Sequence, residues 1–184
     1  MAESILEAVQ RLADFVAAAK LQVAVIGGVA IVARVRPRTT QDIDILIAAG
    51  VDDGETLLRQ AVEHGYAYDE DETREFLPGG LIRLWGPPSR ELGVGLDVLF
   101  ADSPFLRKVI ARATLVDLGA GTLPIATAED LLILKLEAHR LEDLDDIIAI
   151  KDGLGDMLDL AYVQEELKTL GLLDRYRLYF GSPR

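Results

Sequence analysis

Two aspartates inside a short apolar run constrain the fold of this sequence more than any other feature. Asp42 and Asp44 stand two residues apart in Thr40–Ile47, a run that also holds four isoleucine or leucine residues. Such a run predicts a buried strand, and because successive side chains of a strand alternate between its faces, both aspartates share one face. Carboxylates are rarely buried unless they pair with a cation or bind a metal. The run therefore predicts a strand that presents two acids to a site.

A glycine pair and a third acid stand on either side of this strand in the sequence. The apolar run Val23–Ile26 leads directly into Gly27 and Gly28 and then into a helix-like stretch. Glycines let the backbone approach a phosphate closely, and the first N–H groups of a helix attract anions. Asp97 lies in a second apolar, strand-like run. Three carboxylates from adjacent strands would offer the oxygen ligands that a hard divalent cation prefers.

Each of these features alone also has an ordinary structural explanation. A glycine pair between a strand and a helix is commonly a tight turn. An aspartate in an apolar strand, as at position 97, also suits a salt bridge. Arg38, Thr39 and Thr40 precede the acidic strand and would supply a cation and two hydroxyls for a triphosphate. The combination, in this order, predicts a nucleotidyl-transfer site.

The composition favours one domain with a sizeable core and a small appended subdomain, because half of the 184 residues are hydrophobic. The net charge of −12 argues against a broad nucleic-acid-binding surface, since phosphate neutralisation supplies most of that affinity. The absence of cysteine excludes disulfides and thiolate sites. The first residues lack the basic and apolar segments of a signal peptide, and no apolar stretch is long enough to span a bilayer. We therefore expect a cytoplasmic protein without membrane partners.

Local patterns predict an α/β (α+β) fold in two parts. The predicted helices of the first part cover residues 4–20, 28–34, 53–64 and 104–111, and the predicted strands cover 22–26, 40–47, 95–100, 114–118 and 122–125. Residues 69–72 predict a solvated turn, residues 73–77 and 81–85 a hairpin, and residues 86–89 a loop. From Thr127 onward only helices are predicted. The boundary divides a mixed core, residues 1–126, from a C-terminal helical subdomain, residues 127–184.

These motifs together resemble a known superfamily. Gly27-Gly28, the run Arg38–Asp44 and the run Leu96–Val98 resemble the signature of polymerase-beta-like nucleotidyltransferases. The stretch Ala128–Ile147 resembles the helical motif of the AbiEii-type members, which are common in bacterial toxin–antitoxin and abortive-infection pairs. The resemblance implies a nucleotidyltransferase fold, in which a mixed central sheet is flanked by helices. One departure is that relatives commonly have Gly-Ser where this chain has a glycine pair.

The resemblance also assigns roles to individual residues. It implies that Asp42, Asp44 and Asp97 bind Mg²⁺ or Mn²⁺, and that Asp97 assists deprotonation of the acceptor hydroxyl. Lys135 would meet the nucleotide phosphates. The predicted nucleotide-binding set comprises Gly27, Gly28, Arg38, Thr39, Thr40, Asp143 and Asp146. The structural alternatives are an ion pair of Lys135 with Glu129 or Asp130, a surface pair of Arg140 with Asp143, and a solvated Arg83.

We therefore expect an enzyme that transfers an NMP unit from an NTP, such as ATP or GTP, to a hydroxyl group. The acceptor stays open among a tRNA end, a protein and a small molecule, and a cognate toxin or antitoxin is an expected partner. Two alternatives compete with this expectation. One is a partner-binding module of a toxin–antitoxin pair that keeps the fold without catalysis, and the other is a Mg²⁺-dependent hydrolase that uses the same acids.

Overall fold

A six-stranded mixed sheet forms the framework of the computed structural model, which describes residues 2–87 and 90–181. The strands are β1 (Val23–Ile26), β2 (Asp42–Ile47), β3 (Leu81–Trp85), β4 (Gly95–Phe100), β5 (Thr114–Asp117) and β6 (Thr122–Ile125). Their order across the sheet is β3-β4-β2-β1-β6-β5. The pairs β2–β4 and β1–β6 are parallel, and the other three neighbouring pairs are antiparallel. The predicted mixed sheet flanked by helices is confirmed.

Nine α-helices accompany the sheet in the described residues. They are α1 (Ile5–Ala18), α2 (Gly27–Arg34), α3 (Gly54–Glu63), α4 (Glu70–Phe76), α5 (Pro104–Arg112), α6 (Ala128–Ala138), α7 (Leu144–Leu154), α8 (Leu160–Thr169) and α9 (Leu173–Phe180). Short 3-10 turns cover Val51–Asp53, Leu77–Gly79, Leu141–Asp143 and Gly155–Met157. Within the described chain, no helix has both the length and the apolar character that crossing a bilayer requires.

The central strands owe their position to their apolar residues. All four residues of β1 are buried, and so are Ile43 and Ile45 on β2. Asp42 and Asp44 alternate with these isoleucines, and they are exposed and half-buried respectively. The predicted alternation of the two faces of β2 is therefore present.

One part of the sequence prediction was wrong. Residues 69–77 form neither a solvated turn nor a hairpin strand, because Asp69 caps helix α4. Its side chain accepts hydrogen bonds from the backbone N–H groups of Asp71 and Glu72, and the acids of the first turn suit the positive end of the helix. Residues 81–85, the second strand of the predicted hairpin, form β3, which pairs with β4 and not with residues 73–77. The predicted loop at 86–89 falls partly outside the described residues.

The chain divides into two compact units. One, here called the sheet unit, consists of Met1–Ala30 and Thr39–Ala126, and the other, here called the helical unit, consists of Ile31–Arg38 and Thr127–Arg184. The sequence analysis placed residues 31–38 with the first part of the chain. The predicted site residues are therefore divided between the two units.

Candidate active site

The register of two parallel strands places three acids on one face of the sheet unit. Asp44 on β2 pairs with Asp97 on β4, and Asp42 pairs with Gly95. Neighbouring strands lie about 5 Å apart, and side chains paired in this way point to the same face. Asp42 shares this face because it stands two residues before Asp44. The sheet thus brings the backbones of the three predicted acids together.

Two glycines keep the space beside these carboxylates free of other side chains. A Cβ atom on Gly27 would overlap a carboxylate oxygen of Asp44, and a Cβ on Gly95 would overlap a carboxylate oxygen of Asp42. Gly27 also has a φ of +60°, a backbone conformation that other residues rarely adopt. Gly27 is the first residue of helix α2, and its closeness to Asp44 places the start of this helix against the acidic strand.

Thr40 occupies the space beside the second glycine. A Cβ on Gly28 would lie 2.5 Å from the hydroxyl oxygen of Thr40, which donates a hydrogen bond to the carbonyl of Asp42 at 3.0 Å. A serine at position 28 would therefore collide with Thr40. The glycine pair and the threonine form a matched set, which accounts for the departure from the Gly-Ser pattern.

We expect Gly28→Ala to destabilise the protein by about 1–3 kcal/mol, because its methyl group overpacks against Thr40. Thr40→Ala removes the hydroxyl that the new methyl meets, so the double variant should recover part of this loss. Chemical denaturation of the two single variants and the double variant measures the coupling. Strictly additive losses would contradict the described contact.

Arg83 binds the third acid of the site. Arg83 on β3 pairs in register with Asp97, and its Nε and a terminal nitrogen each donate a hydrogen bond of 2.8 Å to one oxygen of that carboxylate. This two-point hydrogen bond with Asp97 raises the pKa of Arg83 above its ordinary value. The salt-bridge alternative for Asp97 is therefore what the structure contains.

The donor atoms of this face suit a hard divalent cation, but their side chains are not gathered around one point. Mg²⁺ and Mn²⁺ prefer oxygen ligands, and the three carboxylates provide them from rigid strands. Gly27 and Gly95 leave room for the carboxylates of Asp44 and Asp42 themselves. Within residues 2–87 and 90–181, however, no three histidine, cysteine, aspartate or glutamate side chains are arranged to hold a metal. The carboxylate of Asp97 forms an ion pair with Arg83.

The remaining predicted residues form a buried ion cluster in the helical unit. Asp143 and Asp146 are almost fully buried, and Lys135 lies 2.6 Å and 3.1 Å from their carboxylate oxygens. Arg38 also belongs to this cluster, because one of its terminal nitrogens lies 2.5 Å from a carboxylate oxygen of Asp146. Lys135 therefore pairs with the two acids of the nucleotide-binding set rather than with Glu129 or Asp130 as the structural alternative proposed.

Arg140 and Lys135 hold Asp143 in its charged form. Burial favours the neutral acid, but hydrogen bonds from Arg140 and Lys135 outweigh it, so the pKa of Asp143 lies below its ordinary value of 3.8. A lowered pKa in the folded state means that Asp143 stabilises the fold fully above its unfolded pKa, and that this stabilisation is lost as the pH falls through the lower, folded pKa.

We expect the difference in free energy of unfolding between the wild type and Asp143→Asn to be largest near neutral pH. It should shrink as the pH falls below about 4, because the unfolded wild-type chain then takes up a proton at Asp143 while the folded protein keeps the charged form, and it is smallest below the lowered folded pKa. Chemical denaturation of both proteins between about pH 7 and about pH 3 measures this difference. A difference that is independent of pH would contradict the lowered pKa.

Sequence reasoning missed Arg83 as part of the site. It was interpreted as solvated rather than as bordering the cleft. Thr39 is exposed and begins the second segment of the sheet unit. The available signal in the sequence was that Arg83 stands in an apolar run, fourteen residues before Asp97. In the structure, the Nε atom of Arg83 lies 2.8 Å from a carboxylate oxygen of Asp97. That signal becomes informative only once the pairing of β3 with β4 is known.

No protein-family model matches this chain, and no curated protein matches its sequence. Solved structures do resemble it. An antigenic nucleotidyltransferase-like protein from Paracoccidioides brasiliensis has 16% identity and a TM-score of 0.51, with 96% of each chain covered. The crystal structure of ANT(2″)-Ia in complex with adenylyl-2″-tobramycin has 15% identity and a TM-score of 0.56, covering 93% of this chain and 98% of that one.

This chain has the nucleotidyltransferase fold. A third solved structure with this fold is that of the lincosamide antibiotic adenylyltransferase LnuA bound to lincomycin. It has 15% identity and a TM-score of 0.52, covering 82% of this chain and 98% of that one. Likeness at such identities establishes the fold alone. The nucleotidyltransferase fold expected from the sequence is thereby confirmed, whereas the AbiEii-type assignment stays a prediction.

Proposed function

We propose that the protein transfers an NMP unit from an NTP to a hydroxyl group and releases pyrophosphate. The acceptor oxygen forms a bond to the α-phosphorus, and the bond between that phosphorus and the oxygen bridging to the β-phosphate breaks. The hydroxyl proton passes to a base, and the leaving group departs as pyrophosphate. No oxidant or further reactant is needed.

One observation carries this proposal: a chain with the nucleotidyltransferase fold places three carboxylates on one face of two parallel strands. Asp44 and Asp97 are neighbours in register, and Asp42 follows on the same face. These three carboxylates would hold a divalent cation, which neutralises the triphosphate and polarises the reacting phosphorus. The resemblance to polymerase-beta-like nucleotidyltransferases supports Asp97 as the base that would accept the hydroxyl proton.

The glycine pair supplies the other element of the proposed site. Gly27 and Gly28 open helix α2, whose first N–H groups suit a phosphate. The hydroxyl of Thr40 lies beside Gly28, in the space that a serine side chain would need, and donates its hydrogen to the carbonyl of Asp42. The roles of Lys135 and its cluster toward the nucleotide stay predictions, since their contacts are described within the helical unit only.

We propose ATP as the donor and a hydroxylated, amine-bearing small molecule as the acceptor. Two neighbours support this choice, because one was solved with adenylyl-2″-tobramycin and the other is an adenylyltransferase bound to lincomycin. The net charge of −12 favours a cationic acceptor over naked RNA. A role in a toxin–antitoxin pair and a cytoplasmic location rest on the sequence and stay predictions.

The test is an incubation of the protein with Mg²⁺ and each labelled NTP. Separate reactions contain tobramycin, lincomycin, tRNA or a bacterial lysate, and each is assayed for released pyrophosphate and for a labelled acceptor. Label on a small molecule from ATP supports the full proposal, and label on tRNA or protein corrects the acceptor class. Release of free NMP without a labelled acceptor would identify a hydrolase instead.

A second candidate function is a nucleotide-binding partner module without catalysis. The observation that favours it is the engagement of Asp97 by Arg83, together with the finding that no three candidate ligands are gathered in the described residues. Calorimetric titration with each NTP, with and without Mg²⁺, separates the two functions when combined with the transfer assay. Nucleotide binding without pyrophosphate release across the acceptor panel would favour the module.

A further inference from the structure

We propose that a groove between helices α3 and α4 binds a basic, amphipathic helix of a partner protein. The groove, here called the α3–α4 groove, lies within the sheet unit and has a volume of about 1170 Å³. None of the residues that line it belongs to the predicted nucleotidyl-transfer site. Binding at this groove is therefore independent of the proposed function.

Two helices line the groove with residues at helical spacing. Helix α3 contributes residues 55, 58, 59, 62 and 63, and helix α4 with the turn after it contributes residues 70, 73, 74 and 77. The groove therefore follows the ten residues of α3, which extend about 15 Å. Val51 just before α3 and Val62 in its last turn are 36% and 51% exposed, so apolar surface along the groove is uncovered.

The dimensions of the groove favour a helical segment over a small molecule. Its volume exceeds the roughly 300–1,000 Å³ of typical small-molecule sites. A length of about 15 Å matches two to three turns of helix. An amphipathic helix that lays its apolar face into an apolar groove is a common mode of protein recognition.

The charges around the groove select a basic occupant. Two guanidiniums, those of Arg59 and Arg74, line it together with four carboxylates, which belong to Asp52, Glu55, Glu63 and Glu70. Arg74 is paired with Asp71, at 2.8 Å. Within the part of the chain that the structure describes, none of the four carboxylates forms an ion pair. Because a second copy of this chain would bring a further net charge of −12, lysine or arginine side chains of a different protein complement the groove better.

Thr73 on α4 is a second, independent sign of a missing occupant. It lines the groove and is 8% exposed, and its hydroxyl oxygen has no hydrogen-bond partner among the described residues. Buried hydroxyl groups are seldom left without a partner, because the loss of hydration is then not compensated. A polar group of the bound segment would supply the missing hydrogen bond.

The groove and the three acids belong to different faces of the sheet. A Cβ on Gly54, the first residue of α3, would lie 3.7 Å from the side chain of Ile82 on β3. Ile82 adjoins Arg83 in this strand, so its side chain points to the face opposite to that of Arg83 and Asp97. Helix α3 therefore packs on the face away from the acids, and a segment bound beside it leaves them accessible.

Fluorescence anisotropy with a labelled model peptide tests the proposal without relying on activity. The probe is a helix of about 14 residues built from leucine and lysine, with leucine at positions i, i+3, i+4 and i+7. A peptide of the same composition in scrambled order keeps the charge but has no apolar face. We expect the amphipathic peptide to bind at least about tenfold more tightly than the scrambled one.

Variants of the exposed groove residues locate the binding. Val62→Lys places a cation in the groove and should weaken binding about tenfold, and the double variant of Glu55→Gln and Glu63→Gln should weaken it about five- to tenfold. The matched control combines Glu91→Gln with Asp102→Asn, which removes the same charge from exposed positions outside the groove and should leave the affinity within about twofold.

Thr73→Val tests the unpaired hydroxyl. It keeps the shape of the side chain, so it should weaken binding about two- to fivefold without lowering the stability of the free protein. Thermal unfolding of every variant checks that the fold is retained.

Three results would overturn the proposal. Equal binding of the scrambled peptide, or an equal loss in the control variant, would show attraction by net charge alone. Binding of spermine as tight as that of the peptide would assign the groove to a small polyamine. An oligomer of the protein alone that Val62→Lys dissociates, measured by analytical ultracentrifugation, would assign the groove to a second copy.

Discussion

Replacing Asp97 with asparagine is expected to reduce nucleotidyl transfer by about two to three orders of magnitude while the fold is retained. The amide keeps the shape of the side chain but removes the negative charge that would hold the cation and accept the proton. Asp42→Asn should have a comparable effect, since Asp42 shares the same face. Rates of label transfer from ATP to the acceptor measure both losses, and circular dichroism with thermal unfolding measures the fold.

Asp102→Asn is the matched control for these variants. Asp102 is exposed and stands two residues after the end of β4, so its substitution removes the same charge from a position outside the strands that carry the three acids. Its transfer rate should equal that of the wild type. Unchanged transfer by Asp97→Asn or by Asp42→Asn would refute the assignment of these carboxylates.

The second large effect is expected from Gly27→Ala. The new methyl group would overlap the Asp44 carboxylate, so Asp44 has to leave its place and transfer should be lost. The φ of +60° adds a backbone cost of about 1–2 kcal/mol for any residue other than glycine. The transfer assay and chemical denaturation together measure the two effects.

Gly65→Ala is the control that separates the backbone cost of a positive φ from the overlap of the new methyl group with Asp44. Gly65 also has a positive φ, +81°, but an added Cβ there would meet nothing within 4 Å. This control should therefore lose a similar amount of stability and keep its transfer rate. Loss of stability without loss of transfer in Gly27→Ala would show that the place of Asp44 beside the glycine pair is not needed for the reaction.

The local elements near the site could be predicted from the sequence because their patterns are strong. The apolar runs that became β1, β2 and β4 have few polar residues other than their acids, and the glycine pair marks the start of α2. Alternation along β2 predicted that Asp42 and Asp44 share a face, and the structure agrees. Helix α4 was missed because a run of acids was interpreted as solvated, although Asp69 and the acids after it are a good helix start.

Local patterns could not predict the contacts between distant segments, because these depend on strand pairing and tertiary packing; the nearness of the Asp97 strand to the acidic strand was expected only from the combination of motifs. The pairing of Asp44 with Asp97 requires that β2 and β4 be parallel neighbours in one particular register. The pair of Arg83 and Asp97 requires β3 on the other side of β4. Likewise, the contact of Arg38 with Asp146 joins residues that are far apart in the chain. Local periodicity carries no information about any of these distances.

Crystals of the protein soaked with Mn²⁺ and a non-hydrolysable ATP analogue test the central claim most directly. Anomalous scattering at the manganese edge locates the ion independently of the surrounding density. The account predicts a manganese peak coordinated by oxygens of Asp42, Asp44 and Asp97. An anomalous peak elsewhere, or no peak while the analogue is bound, would contradict it.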